Sequence, residues 1–286
     1  MTMKQAKLAA AVVASLGALL AMPAHAGKTL DAIKSRGQVV CGVNTGLAGF
    51  AAADSAGKWS GMDVDVCRAL AAATLSDPEK VKYVPLNAQQ RFTALQSGTT
   101  TEKNLTDYSK ANALAIKPVV FEKLEAAENA YFTGRCIAYT TDASGLASTR
   151  NKVAKDPKEH MILPELISKE PLGPMVRRGD DEWFAVVKWV MYGLIEAEEY
   201  GVTQTNVEQM KASTDPVVQR LLGGGNEDTG KLLGLDKAWL ARAIAATGNY
   251  GEIFERNVGP KSPLALPRGL NNQWNKGGLM YAYPVR

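Results

Sequence analysis

The chain has 286 residues, of which 46% are hydrophobic and 22% are charged. This length and apolar content suit one large or two small globular domains, each with its own core. The formal net charge is +4 at pH 7, and it falls to +2 without residues 1–26, which hold two lysines and no acids. Such a small positive bias argues against a nucleic-acid-binding protein.

The N-terminus has the pattern of an export signal. Lys4 and Lys7 precede an apolar run at residues 8–22, and the small-residue pattern Ala24-His25-Ala26 follows. This order is typical of a cleaved secretory signal peptide, whereas a buried core helix is the alternative. The run is short and Ala-rich for a membrane-spanning helix. We therefore expect residues 1–26 to be removed and the remaining chain to be periplasmic.

The cysteines and histidines indicate no metal site. The three cysteines are Cys41, Cys67 and Cys136, and an exported protein can form disulfides, although an odd number leaves one thiol over. His160 has no second histidine or cysteine near it in the sequence. We expect it to be a solvated loop residue rather than a ligand.

Strands and helices alternate in the first third of the chain. Strands are predicted at residues 38–44 and 81–85 from their β-branched and apolar residues. Helices are predicted at 29–34, 63–74 and 88–96 from apolar residues at helical spacing. The resulting order predicts an α/β sheet with parallel strands.

This order breaks at Gly98. The helix that ends there runs directly into Thr99-Thr100-Thr101-Glu102, a capping-box pattern that starts another helix. An α/β order calls for a strand between two such helices. Either a strand is missing at this point, or the two helices meet at a tight corner.

Further elements are predicted after the break. The strands are at residues 116–121, 136–141, 161–164 and 175–177, and the helices are at 124–132, from 142 onwards, and at 180–199.

Six short segments, taken in their order, are more specific than any one of them. They are VCGVNTG at 40–46, GMDVDVCRAL at 61–70, RFTALQSG at 91–98, TTDASGL at 140–146, KEPLGP at 169–174 and NYGEIFER at 249–256. The set resembles the periplasmic amino-acid-binding proteins of ABC importers, in the general L-amino-acid-binding branch of the polar amino-acid family. The resemblance covers nearly all of the chain after residue 26.

The resemblance implies a type II periplasmic-binding fold, an α/β architecture with two lobes around a hinge. Lobe one would comprise residues 27–98 and, after a hinge crossing, residues 171–286, which include a C-terminal extension; lobe two would comprise 99–170. The implied function is to bind an L-amino acid in the interlobe cleft and deliver it to a membrane permease. The family implies no cofactor, no catalysis and a monomer.

The resemblance also implies the roles of six residues. Asp142 would bind the α-ammonium of the ligand, since a carboxylate at a strand end suits a cation. Thr99 and Thr101, at a helix start, would bind the α-carboxylate. The ligand's side chain would contact Thr45, Gly46 and Phe50, which follow the first strand. The structural alternatives are helix caps at Thr99 and Asp142, and core packing for Phe50.

In the family, RFTALQSG and a later QSGTTTE are separate, whereas here they share Gln96-Ser97-Gly98. Between them the family has a strand, a loop with the ligand-binding arginine, the first hinge crossing and the first strand of lobe two. The resemblance thus implies that several dozen residues are lost near Gly98, so the first lobe and the first hinge crossing are expected to be incomplete. The family's partner for Cys136 would lie in the lost strand. Cys41 and Cys67 can pair with each other or stay reduced.

Three functional hypotheses follow. The first is a working amino-acid-binding protein, and the second is a truncated relative with impaired binding and reduced stability. The third is a periplasmic dehydratase or lyase on the same fold, which needs a general acid or base in the cleft.

Overall fold

The structure is a computed structural model that describes residues 28–44, 47–86, 100–121 and 123–286. The predicted signal peptide and the predicted helix at 88–96 lie outside these residues. The strands are β1 (Val39–Val43), β2 (Ala52–Ala53), β3 (Trp59–Ser60) and β4 (Val81–Pro85). The helices are α1 (Lys28–Arg36), α2 (Met62–Leu75), α3 (Thr100–Ala111), α4 (Leu124–Phe132), α5 (Ala143–Val153), α6 (Asp181–Glu199), α7 (Val207–Met210), α8 (Pro216–Leu221), α9 (Trp239–Thr247) and α10 (Tyr250–Asn257).

The first β-α-β unit has the predicted parallel topology. β1 pairs with β4 in parallel, with Val39 opposite Val81 and Val43 opposite Pro85, and α2 forms the crossover between them. The ends of β1, Val39 and Val43, are buried. β2 and β3 form a short antiparallel pair just before α2.

Three helices form the core of lobe one. α2 contributes small residues such as Ala69 and Ala73, and α9 packs Trp239 and Ile244 into the same cluster as Leu194 of α6. Gly193 is required where α6 meets α9, because a Cβ atom there would lie 2.5 Å from a methyl carbon of Leu240. The later part of the chain therefore completes the core that α2 begins.

Ion pairs and hydrogen bonds of buried charged side chains hold α10 and the segment after it against this core. Asp65 on α2 is only 7% exposed, and it accepts hydrogen bonds from Arg256 Nε at 2.9 Å and Asn257 Nδ2 at 2.6 Å. Arg268 forms an ion pair with Glu198 of α6 at 3.1 Å. A buried carboxylate is tolerated when such donors compensate it.

A disulfide joins β1 to α2. The Sγ atoms of Cys41 and Cys67 are bonded in the structure, whereas Cys136 is a free, half-buried thiol. Of the two alternatives open from the sequence, the structure therefore has the paired form.

The second lobe and the residues that follow it, up to residue 180, differ most from the prediction. The four predicted strands at 116–121, 136–141, 161–164 and 175–177 are wrong, because those residues are irregular and belong to no strand of the described chain. Large apolar side chains of this region are exposed: Leu114, Ile116, Val119, Val120, Ile137, Met161, Leu163, Leu166, Leu172 and Met175. Strands need partners to satisfy their backbone, and the family's first lobe-two strand lies in the segment inferred to be lost.

The helix predictions were more successful. The helices expected at 29–34, 63–74, 124–132 and 180–199 are confirmed within about two residues at each end. None of the helices in the described ranges is long and apolar enough to cross a membrane.

The prediction for His160 was wrong. Its ring is half-buried, shares a hydrogen bond of 2.9 Å with the Tyr131 hydroxyl and packs edge-on against Phe132. It is therefore a packing residue of lobe two. This contact could not be predicted from the local pattern, because Tyr131 and His160 are 29 residues apart.

Candidate functional site

Asp142 lies at the entrance of α5, where the resemblance places the ligand's ammonium group. The residue is exposed, and its side chain makes no capping hydrogen bond to the helix. The carboxylate is therefore not used as the helix cap that the sequence left as an alternative. Partial burial, and next the negative charge of Glu170, raise the pKa of Asp142 above its usual range.

Thr101 is the second residue of α3 and is half-buried. The first amide groups of a helix have no intrahelical acceptor, so they present hydrogen-bond donors and positive potential to an anion. One turn further along α3, Asn104 Nδ2 donates a 2.6 Å hydrogen bond to Glu170 Oε1. Glu170 thus contacts α3, and its negative charge also acts on the carboxyl group of Asp142.

The loop after β1 contacts lobe two directly. The backbone amide of Ala48 donates to Ser148 Oγ on α5 at 2.9 Å. Phe50 packs against a cluster formed by Ala147 of α5 together with Phe254 and Leu264 of the C-terminal part. The structure therefore brings this loop to the helix that starts at Asp142.

The other residues predicted to bind the ligand are either packed in an apolar cluster or outside the described residues. Phe50 is half-buried in an apolar cluster, so the core-packing alternative describes its contacts in this structure. Thr45, Gly46 and Thr99 lie outside the described residues. Glu170 was missed from the sequence, although it stands within the KEPLGP segment that carries part of the resemblance.

Asp142, Thr101 and Phe50 do not line either of two open cavities in the described residues. One cavity of about 480 Å³ lies between α6, α8 and the C-terminal segment, and a second of about 360 Å³ lies at the start of α10. Within the described ranges there is also no group of three or more side chains suited to hold a metal ion.

The two acidic residues Asp142 and Glu170 give a prediction for how the stability of the protein depends on pH. A raised Asp142 pKa means that the native state binds this proton more tightly than the unfolded state. The contribution of Asp142 to stability is then largest at low pH and falls as the pH rises through the raised pKa. In the variant Glu170→Gln we expect the pKa of Asp142 to drop, as measured by carboxyl NMR titration. An unchanged pKa in Glu170→Gln would contradict the pairing, and Glu165→Gln, another exposed acid, is the matched control.

Comparison with known proteins identifies close relatives. No family model matches the chain. The chain is 48% identical to the general L-amino acid-binding periplasmic protein AapJ of Rhizobium johnstonii, with 99% of this chain and 100% of that protein covered. It is 44% identical to the glutamate/glutamine/aspartate/asparagine-binding protein BztA of Rhodobacter capsulatus, with 95% and 97% covered.

A solved structure agrees with the fold. A periplasmic binding protein of an ABC transporter from Brucella ovis, with glutathione bound, superposes with a TM-score of 0.84 at 46% identity. The superposition covers 90% of this chain and 99% of that one.

The alignments also show that this chain is shorter than its relatives. The alignment to AapJ spans 343 positions, whereas the chain has 286 residues, so at least 57 positions of the alignment have no residue here. This agrees in size with the several dozen residues expected to be lost. The identity, the coverage and the superposition together show that the chain belongs to the periplasmic amino-acid-binding proteins of ABC transporters and has their two-lobe α/β fold.

Proposed function

We propose that this protein captures an L-amino acid in the cleft between its lobes and delivers it to a membrane permease. The observation that carries the proposal is the carboxylate of Asp142 at the start of α5, which makes no capping hydrogen bond to the helix. Asp142 would bind the ammonium group, and Thr99 and Thr101 with their amide groups would bind the carboxylate. Thr45, Gly46 and Phe50 would meet the ligand's side chain.

The proposal includes the state of the protein in the cell. Residues 1–26 would be cleaved during export, and the product would act in the periplasm as a monomer. We propose binding without a catalytic step, since the relatives compared above are named as binding proteins.

The ligand class follows from what the relatives bind. Their names specify L-amino acids in general or glutamate, glutamine, aspartate and asparagine, and the solved neighbour holds glutathione. All of these molecules carry an α-ammonium and an α-carboxylate on one carbon, which is the pair that Asp142 and the start of α3 would bind. We therefore propose the same zwitterionic end as the recognised group.

We further propose that binding is weaker than in the full-length relatives. The arginine that the family uses for the α-carboxylate would lie in the missing segment. A buried bidentate partner of this kind is typically worth about 2–5 kcal/mol, which corresponds to roughly thirtyfold or more in affinity.

A thermal melt tests the proposal. The protein purified from periplasm is melted alone and with glutamate, glutamine, aspartate, asparagine, leucine or glutathione. A ligand at a hundred times its dissociation constant should add about 2.7 kcal/mol of stability. We expect a shift only at high ligand concentration, and no shift with glutamate, glutamine, aspartate or asparagine in Asp142→Asn. A transition that no ligand moves would contradict the proposal and favour the binding-impaired alternative, while the mass of the purified chain reports whether residues 1–26 are removed.

A further inference from the structure

The cavity of about 480 Å³ lies at the C-terminal end of the chain, away from the interlobe candidates. Its walls come from the last turn of α6, from α8 and from the segment at residues 274–286. Neither Asp142, Thr101 nor Phe50 lines it. A volume of this size is typical of pockets for small molecules.

Aromatic rings line this cavity and are unusually exposed. Tyr200, Trp274 and Tyr281 belong to its wall. Trp274 is 53% exposed and Tyr281 is 65% exposed, and their rings meet edge to face with centroids 6.3 Å apart. The row continues to Tyr283, whose ring centroid is 6.4 Å from that of Tyr281. Adjacent large rings left in water mark surfaces that bind a ligand or partner.

Charges of both signs stand beside these rings. Glu199, Glu227, Arg220 and Arg286 all line the cavity. In the part of the chain that the structure describes, none of these four forms an ion pair within 4.0 Å, and Glu199 accepts one hydrogen bond from Trp274 Nε1 at 3.2 Å. Their charges are therefore available to a bound molecule.

A third acid in the wall has a structural role. Glu196 is 4% exposed, and its Oε2 accepts a 2.8 Å hydrogen bond from the backbone amide of Val285. This bond fixes the C-terminal segment against α6. Because the wall is anchored in this way, the rings of Trp274 and Tyr281 have a defined position relative to α6 and α8.

We propose that this cavity is a second binding site, for a small zwitterion with an aromatic or apolar side chain. A simple cation there would meet the guanidinium groups of Arg220 and Arg286, and a simple anion would meet the carboxylates of Glu199 and Glu227. A molecule with an ammonium and a carboxylate satisfies both sets, and its side chain stacks on Trp274. The inference is independent of the interlobe site, because the two sites share no residue.

Calorimetry on the full protein with L-phenylalanine as the probe tests this site. The background variant is Asp142→Asn, which removes the proposed interlobe ammonium ligand. In that background we expect saturable binding, which weakens at least tenfold when Trp274→Ala or Glu227→Gln is added. Phenethylamine and 3-phenylpropionate, which each lack one charge, should bind at least tenfold more weakly than phenylalanine. Glu165→Gln, an exposed acid outside the cavity, should leave binding unchanged.

Three results would overturn the inference. They are loss of all phenylalanine binding in Asp142→Asn, equal binding in Trp274→Ala and its parent, or equal binding of phenethylamine and phenylalanine. Binding that depends on Asp142 but not on Trp274 would support the interlobe proposal alone, so the two proposals fail separately. Trp274 and Glu227 are exposed, and a melt without ligand checks that their variants stay folded.

Discussion

Inserting next to Gly98 the segment that we infer to be lost there should tighten amino-acid binding by roughly thirtyfold or more, because that segment would supply the bidentate partner of the α-carboxylate. The donor would be the 48% identical AapJ, whose alignment leaves at least 57 positions without a counterpart in this chain. The same insertion should supply the strand that residues 116–121 and 136–141 need as a partner. Calorimetry with glutamate measures the affinity of the parent and of the extended chain.

The control for this experiment is an insertion of equal length made of glycine and serine. It restores the spacing between the two halves without the arginine or the strand, and we expect no gain in affinity. A second control replaces the arginine of the inserted segment by glutamine, which should remove most of the gain. Equal binding by parent, extended and control chains would show that the missing residues do not limit the affinity.

Limited proteolysis should cut lobe two and the segment at 171–180 at least tenfold faster than the core of lobe one, since local opening governs cleavage and these parts differ in local packing. Residues 112–121 and 154–180 are largely irregular and expose a series of apolar side chains, whereas the core of lobe one buries Trp239, Ile244 and Leu194. Proteinase K digestion under native conditions, followed by mass spectrometry, identifies the cuts. We expect the first cuts inside those two ranges.

The fragments after such cuts should stay together. Residues 28–86 and 181–286 share one core, and the Asp65–Arg256 ion pair at 2.8 Å crosses between them. Gel filtration after digestion should therefore recover both fragments in one peak. Cuts spread evenly over both lobes, or fragments that separate without denaturant, would contradict the view that lobe one alone is well packed.

The sequence predicted those parts of the fold whose stability is local or comes from helix packing. The apolar spacing in α6 and the β-branched residues of β1 each matched the structure because their partners, α9 and β4, are present. Residues 136–141 have a strand composition as well, but a strand forms only beside another strand. The composition of a segment carries no information about whether its neighbour has been lost, so this prediction was wrong.

The candidate site shows the same limit. Asp142 was placed at a helix start by the sequence, and α5 does begin with the next residue. The approach of Glu170 to Asn104, 66 residues apart, depends on how the chain returns from lobe two. A resemblance names the residues that relatives use, but it gives no measure of which contacts persist after a segment is missing. The ligand-binding roles of all six residues therefore stay predictions; they are Asp142, Thr99, Thr101, Thr45, Gly46 and Phe50.

The Cys41–Cys67 disulfide has a consequence for the order of synthesis and folding. It closes a loop with a sequence separation of 26 residues, and cross-links of this size typically contribute about 3–4 kcal/mol. In the cytosol, where thiols stay reduced, the new chain lacks this contribution, which is a large share of a typical domain's total stability. We therefore expect the precursor to unfold more readily before it crosses the membrane, and oxidation outside then to join β1 to α2 covalently. The full stability of the folded chain would thus be reached only after export, when this bond forms.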